Sequence, residues 1–241
     1  MLCVEAPGRG ARADDPLCGS DADDAAEREA LAADLAPMLA DGLPYALLGL
    51  SAGVLLSLEL LPLLPAAPAA LVLAGRCPPR PASGAPFPVP DDAEILDVYA
   101  LAPPEVLASR AFRDVALPRL KADLAADARA EARVAAAGLA GRTDAPLTVL
   151  CGADDASFGP ARVAEWFAAT SSRESSSRVA PGGHDFLTED IAAIAGDVAA
   201  ALGHFAPPVR ASEVHFRRAY ASLARPPRLR DDRKNTRPRA L

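Results

Sequence analysis

Histidine is scarce in this chain. Three occur among 241 residues, at 184, 204 and 215, well separated and without a helix-spaced partner. A structural or catalytic metal site needs clustered ligands at set spacings, so no metal and no cofactor are expected. Cysteine is nearly as sparse, and Cys3, Cys18, Cys77 and Cys151 form no C-x-x-C pair. Cys3 and Cys151 sit in or at the end of apolar, strand-like runs, the first being 2-LCVEA-6. Buried free thiols in a reducing, cytoplasmic compartment are expected. A basic stretch followed by an apolar core is missing at the N-terminus, so no signal peptide is expected. Positive charge is short overall: the net charge of −7 argues against general nucleic-acid binding. What basic charge there is collects at one end. From Ala206 onward there are ten Lys/Arg against three Asp/Glu, leaving 15 against 29 before it. Residues 206–241 therefore read as a basic tail too charged and too poor in apolar residues to bury a core, and disorder is expected there.

One stretch lacks charge almost entirely. From Leu43 to Gly75 the only charged residue is Glu59. That length permits a membrane span, and Gly49 and Gly53 fit the G-x-x-x-G packing pattern of membrane helices. Glu59 would then lie deep in hydrocarbon, and Pro62, Pro65 and Pro68 interrupt the run. The run divides better into soluble elements. Residues 45–50 read as a strand after the turn 41-DGLP-44, residues 52–61 as a short helix, and 71-LVLA-74 as a second strand closed by Gly75. Strand, helix, strand with both strands apolar is the pattern of a parallel sheet covered on both faces.

The alternation continues. Residues 26–39 form an amphipathic helix, with Leu31, Leu35, Met38 and Leu39 at helical spacing. Residues 147–151 read as a strand, 161–169 as a helix, 178–180 as a short strand and 186–202 as a helix. The expected class is α/β with a mainly parallel sheet, as one domain over residues 1–205. Residues 76–145 break the pattern. A proline-rich loop, 77-CPPRPASGAPFPVP-90, leads into helical pieces at 91–100, 104–112 and 116–137. Such an insertion is either a lid over a site or a fixed structural cap.

Serine needs a base before it is a useful nucleophile. The string 49-GLSAG-53 satisfies G-x-S-x-G, in which a serine sits on a sharp strand-to-helix turn. Ser51 lies between a predicted strand and a predicted helix, the context this motif requires. Its partners should follow in the order acid, then histidine. His184, in the glycine-rich turn 181-PGGHDFL-187, is the expected base, while His204 reads as a residue near a helix C-terminus. The acid is expected in 147-LTVLCGADDASFGP-160, as Asp154 or Asp155, with Asp155 preferred.

These segments together resemble the type II thioesterases of polyketide and nonribosomal-peptide assembly, within the α/β-hydrolase superfamily. The likeness runs from about residue 2 to 203. Residues 7-PGRGAR-12 resemble that family's P-G-R-G-x-R, GLSAG its G-H-S-M-G, and 73-LAGRCPP-79 its S-G-R-x-A-P. Residues 90-PDD-92, 103-PPEVLAS-109 and 118-PRLKAD-123 are similar to its lid elements, and 152-GADD-155, Trp166 and 182-GGHDFL-187 follow in family order. The resemblance implies an α/β-hydrolase fold with a lid at about 76–145, and a triad of Ser51, Asp155 and His184. Ala52 would offer its backbone N–H to the oxyanion. Leu50 and Ala52 replace the family's histidine and methionine, which reshapes the pocket wall without touching the triad. The family's early strands and its other oxyanion loop have no counterpart here, so an N-terminally truncated hydrolase is expected. The implied substrate is an acyl thioester on the phosphopantetheine arm of an acyl or peptidyl carrier protein, cleaved in an editing role. A monomer is expected, with neither a nucleic-acid partner nor a membrane span. The alternatives are a lidded hydrolase of oxygen esters or lipids, and a catalytically impaired protein that only binds a carrier.

Overall fold

The computed structural model describes residues 3–79, 91–92, 95, 103–138, 143–168, 170–184, 186–189, 195–196 and 199. All lie in the first of two units of the chain, Met1–Phe205. The expected basic tail, all of the proline-rich loop 77–90 beyond residue 79, most of the helical piece at 91–100 and most of the helix at 186–202 fall outside the described residues.

Four strands form one sheet: β1 (Ala46–Leu50), β2 (Ala70–Ala74), β3 (Leu147–Gly152) and β4 (Ser176–Ala180). They run parallel in the order β1-β2-β3-β4. This is the α/β class that the alternating pattern predicts. Leu50 pairs with Ala74, Ala74 with Leu150, and Leu150 with Arg178, so β1 and β2 end level and β3 and β4 run two residues further in the same direction. The loops leaving their carboxyl ends therefore converge on one rim, where parallel sheets place their ligands.

The two central strands, β2 and β3, are buried on both faces, which explains why they read as unbroken apolar runs. Side chains alternate between faces with a period of two. Leu71, Leu73, Leu147, Val149 and Cys151 point to one face. There they meet Val54, Leu55 and Leu58 of α2 (Ala52–Leu60), and Ala130 and Val134 of the long helix at Leu117–Ala137. Val72, Ala74 and Leu150 point to the other face and pack against Phe186. Every residue of β2 is buried. The nearly uncharged stretch thus supplies the centre of the packed sheet. Among the described residues no helix is long and apolar enough to cross a membrane.

Glu59, the lone charge in that stretch, shows how the helices are tied. Its carboxylate accepts from Arg133 Nε at 2.7 Å and lies 3.4 Å from Arg28 Nη1. Asp24 of α1 (Asp21–Leu39) accepts from Arg129 Nε at 2.7 Å, and Arg133 also reaches Asp24 and Asp21. Three arginines thus face three carboxylates between α1, α2 and the long helix. Burial pushes the Asp24 carboxyl up, but Arg129 and Arg133 outweigh it and hold it below the ordinary carboxylate value.

Several expectations need correction. Helix α1 starts at Asp21, five residues earlier than its apolar spacing indicates. Ser20 caps it, its hydroxyl accepting from Asp23 N at 3.2 Å while Asp23 Oδ2 accepts from Gly19 N at 3.0 Å. Met38 is largely exposed, and the helix face that packs comprises Leu31, Leu35 and Leu39. Cys3–Ala6 is not a strand and Cys3 is exposed, because no strand among the described residues pairs with it; Cys151 is buried as expected. The piece expected at 161–169 is a 3₁₀ turn, Pro160–Arg162, followed by the single helical turn Ala164–Phe167. In the insertion, α3 (Pro104–Leu107) precedes a π-helical stretch, Phe112–Ala116, which runs straight into α4 (Leu117–Ala137).

Candidate active site

Ser51 follows β1 directly, with φ 52° and ψ −116°, and begins α2. It is the only non-glycine with positive φ among the described residues. Such a conformation costs an L-residue on the order of 1–3 kcal/mol and persists where the surroundings over-determine it. Two contacts do so here. Ser51 N donates to Ala74 O at 2.9 Å, and Val54 N donates to Ser51 O at 3.1 Å. Gly49 is required sterically, since a Cβ there would lie 2.4 Å from the Gly53 carbonyl oxygen. Gly53 has open space around its Cα, so the second glycine of the motif has no steric reason among the described residues. Ala52 is the first residue of α2, where a helix N–H has no intrahelical acceptor.

The other expected residues converge on the same rim. After β3 the chain turns so that Asp155 is buried and Asp154 exposed. Asp154 contributes its backbone, donating N–H to Gly182 O at 2.9 Å. Asp155 Oδ2 lies 2.9 Å from His184 Nδ1. Its other oxygen, Oδ1, accepts from Ser157 N at 2.8 Å, Ser157 Oγ at 2.6 Å and Phe158 N at 3.1 Å. Burial pushes the Asp155 carboxyl up. The hydrogen bonds from Ser157, His184 and Phe158 more than offset that, and its pKa is lowered. An ionised carboxylate can only accept, so the hydrogen between it and His184 sits on Nδ1. In the neutral ring the second nitrogen, Nε2, then carries the lone pair.

Glycines set the spacing between acid and base. A Cβ on Gly152 would lie 2.1 Å from Gly183 O, so the end of β3 and the histidine turn touch backbone to backbone. Gly75, φ +63°, closes β2 beneath the imidazole; a Cβ there would meet His184 Cε1 and Leu50 Cδ1, both at 3.3 Å.

Ser51, Gly75, Ser157 and His184 line one cavity of about 470 Å³. Its far wall is α4, through Leu124, Asp127, Ala128 and Glu131, with Arg76 and Cys77 between. Arg76 is fixed there by two carboxylates, donating to Asp127 at 2.8 Å and to Glu131 at 2.6 Å, while its carbonyl accepts from Trp166 Nε1 at 2.7 Å. The side chains of Asp155 and His184 are 1% and 41% exposed, so the carboxylate is sealed and the imidazole faces the cavity. No hydrogen bond joins Ser51 to His184 among the described residues; such contacts commonly tighten only around substrate. The structure thus gathers Ser51, Asp155 and His184 at one rim. Sequence reasoning missed Ser157 and Arg76. The first was signalled only by an Asp-x-Ser spacing typical of turns. The second was signalled by two acids four residues apart on a helix, which share a face.

A family model described as "Thioesterase domain" matches residues 1–202. No curated protein matches the chain. Among solved structures, the RedJ thioesterase of the prodiginine pathway of Streptomyces coelicolor is 26% identical, with a TM-score of 0.61, over 83% of this chain and 74% of that one. BorB, a type II thioesterase of the borrelidin cluster, is 25% identical with a TM-score of 0.56, over 83% and 77%. YbtT, the type II thioesterase of the yersiniabactin pathway, is similar in fold, with 23% identity and a TM-score of 0.64 over 83% and 81%.

Proposed function

The chain belongs to the thioesterase domain family and is a hydrolase of the α/β-hydrolase fold; on that premise we propose that it cleaves acyl thioesters carried on the phosphopantetheine arm of an acyl or peptidyl carrier protein. The observation that carries this reading is the bond between His184 Nδ1 and Asp155 Oδ2, 2.9 Å, in the cavity that also holds the strained Ser51. Ser51 Oγ attacks the thioester carbonyl carbon while His184 Nε2 takes its proton. Asp155 holds the ring through Nδ1 and stabilises the imidazolium. The N–H of Ala52 donates to the oxygen that gains charge. The C–S bond then breaks, and the thiol leaves with the proton held by His184. Water, deprotonated by the same nitrogen, attacks the acyl–Ser51 ester and releases the acid.

Residues 1–205 act as the hydrolase domain in this reading. The insertion at about 76–145 forms the lid, which is supported by α4 walling the cavity. Removal of stalled acyl groups from assembly-line carriers is the role that fits, supported by the likeness to the type II thioesterase BorB and to the RedJ thioesterase of a biosynthetic pathway. The test is a fluorophosphonate probe together with a matched pair of substrates, an acyl thioester on a carrier protein and the corresponding oxygen ester. Labelling should require Ser51 and the carrier thioester should turn over faster. Undiminished labelling of Ser51→Ala, or a preference for the oxygen ester, would sink the proposal.

A further inference from the structure

Ser157 lies two residues after the acid, on the turn Asp155–Phe158, and lines the cavity beside His184. Its hydroxyl is 2.6 Å from Asp155 Oδ1 and 3.2 Å from His184 Nδ1. The proton positions follow from chemistry. Asp155 is acceptor-only when ionised, so the single hydroxyl hydrogen of Ser157 points to Oδ1. The oxygen then turns its lone pairs towards Nδ1–H. His184 thus has two acceptors for one hydrogen, Asp155 Oδ2 at 2.9 Å and Ser157 Oγ at 3.2 Å. The turn beneath is held from several directions. Phe158 is fully buried, Ser157 N and Phe158 N both donate to Asp155, and the Cys77 thiol donates to Ser157 O at 3.5 Å.

We infer that Ser157 is a positioning residue for the base: it locks the Asp155 carboxylate plane and gives the His184 Nδ1–H a second acceptor, which fixes the ring with Nε2 towards the cavity. A serine that merely closed an Asx turn would need only its backbone N–H, which already reaches Oδ1. The hydroxyl adds the link to the imidazole. This inference rests on the triad reading above, and it has a readout independent of hydrolysis.

Ser157→Ala and Ser157→Thr in the full chain test it. In Ser157→Ala the labelling rate of Ser51 by a fluorophosphonate should fall about tenfold, the loss expected for one hydrogen bond. Thioester turnover should lose kcat with KM unchanged. The downfield NMR signal of the His184 Nδ1 proton should move upfield and exchange faster with water. Ser157→Thr keeps the hydroxyl and should recover both rate and signal. An unchanged rate and unchanged signal in Ser157→Ala would overturn the positioning role while leaving the triad intact. A lower rate that threonine fails to recover, with the His184 signal unmoved, assigns Ser157 to the turn alone and overturns it as well. A wild-type chain that the probe leaves unlabelled would overturn the triad reading, and with it the role of Ser157 in positioning a base.

Discussion

The ion-pair cluster between α1, α2 and α4 and the pair of Asp155 and His184 at the sheet rim each bury a carboxylate, yet they use their hydrogen bonds differently. In the first, Arg28, Arg129 and Arg133 face Asp21, Asp24 and Glu59, and each charge is answered by another. In the second only the acid is saturated. Asp155 takes four hydrogen bonds and is sealed, while His184 uses one nitrogen and turns the other to a cavity beside a strained serine. A balanced cluster can only hold helices together. An unbalanced one keeps a lone pair available, at some cost in stability. Burial of polar groups therefore says little about function until one asks which atoms remain uncommitted.

That contrast can be broken from either side. The largest effect should come from Ser51→Ala or His184→Ala, each lowering thioester turnover by about 10³-fold or more while leaving the melting temperature nearly unchanged. Steady-state kinetics beside a thermal melt would check both halves. Glu59→Leu should do the reverse. It leaves Arg133 and Arg28 facing an apolar group, and should cost about 3 kcal/mol in urea unfolding with little change in kcat of the folded fraction. Next in size, Ser51→Gly should raise stability by about 1 kcal/mol, because glycine adopts φ 52° without strain, even though catalysis is lost. A destabilised Ser51→Gly would show that the elbow is not strained.

The smallest effect is confined to acid. Asp155 is held below its unfolded value of about 3.9, so its stabilising contribution is complete above that value. It is lost as pH falls through the lowered folded value. The stability gap between wild type and Asp155→Asn should therefore be constant near neutrality and narrow only in strong acid. A gap that narrowed between pH 5 and 7 would contradict the direction of the shift.

The core of the fold was legible in the sequence where hydrophobic patterning and punctuation coincide. Prolines and Gly75 cut the uncharged stretch into β1, α2 and β2 nearly to the residue, and G-x-S-x-G located the positive-φ serine. The acid and base could be ordered along the chain, but the choice between Asp154 and Asp155 depends on which one the β3 turn buries. That is a matter of backbone geometry, set where Asp154 N binds Gly182 O. Polar elements were harder to see. The start of α1 was hidden because Asp21, Asp23 and Asp24 carry no apolar period; only Ser20 and Asp23 mark the cap. The link from Arg76 to Asp127 and Glu131 spans more than fifty residues; the spacing of the two acids marks their shared helix face but not the arginine that meets it.

The backbone contact between Gly152 and Gly183 bears on how such an enzyme could be retuned. Acid and base are spaced by main chain against main chain, with no side chain between them to drift. A library randomised at Gly152 should be nearly empty of active members. If the cavity is the substrate site proposed above, one randomised at Leu124 and Ala128, on the opposite wall, should change substrate preference without disturbing that spacing. The route to new substrates runs through the helix that faces the rim, and the rim itself is the part to leave alone.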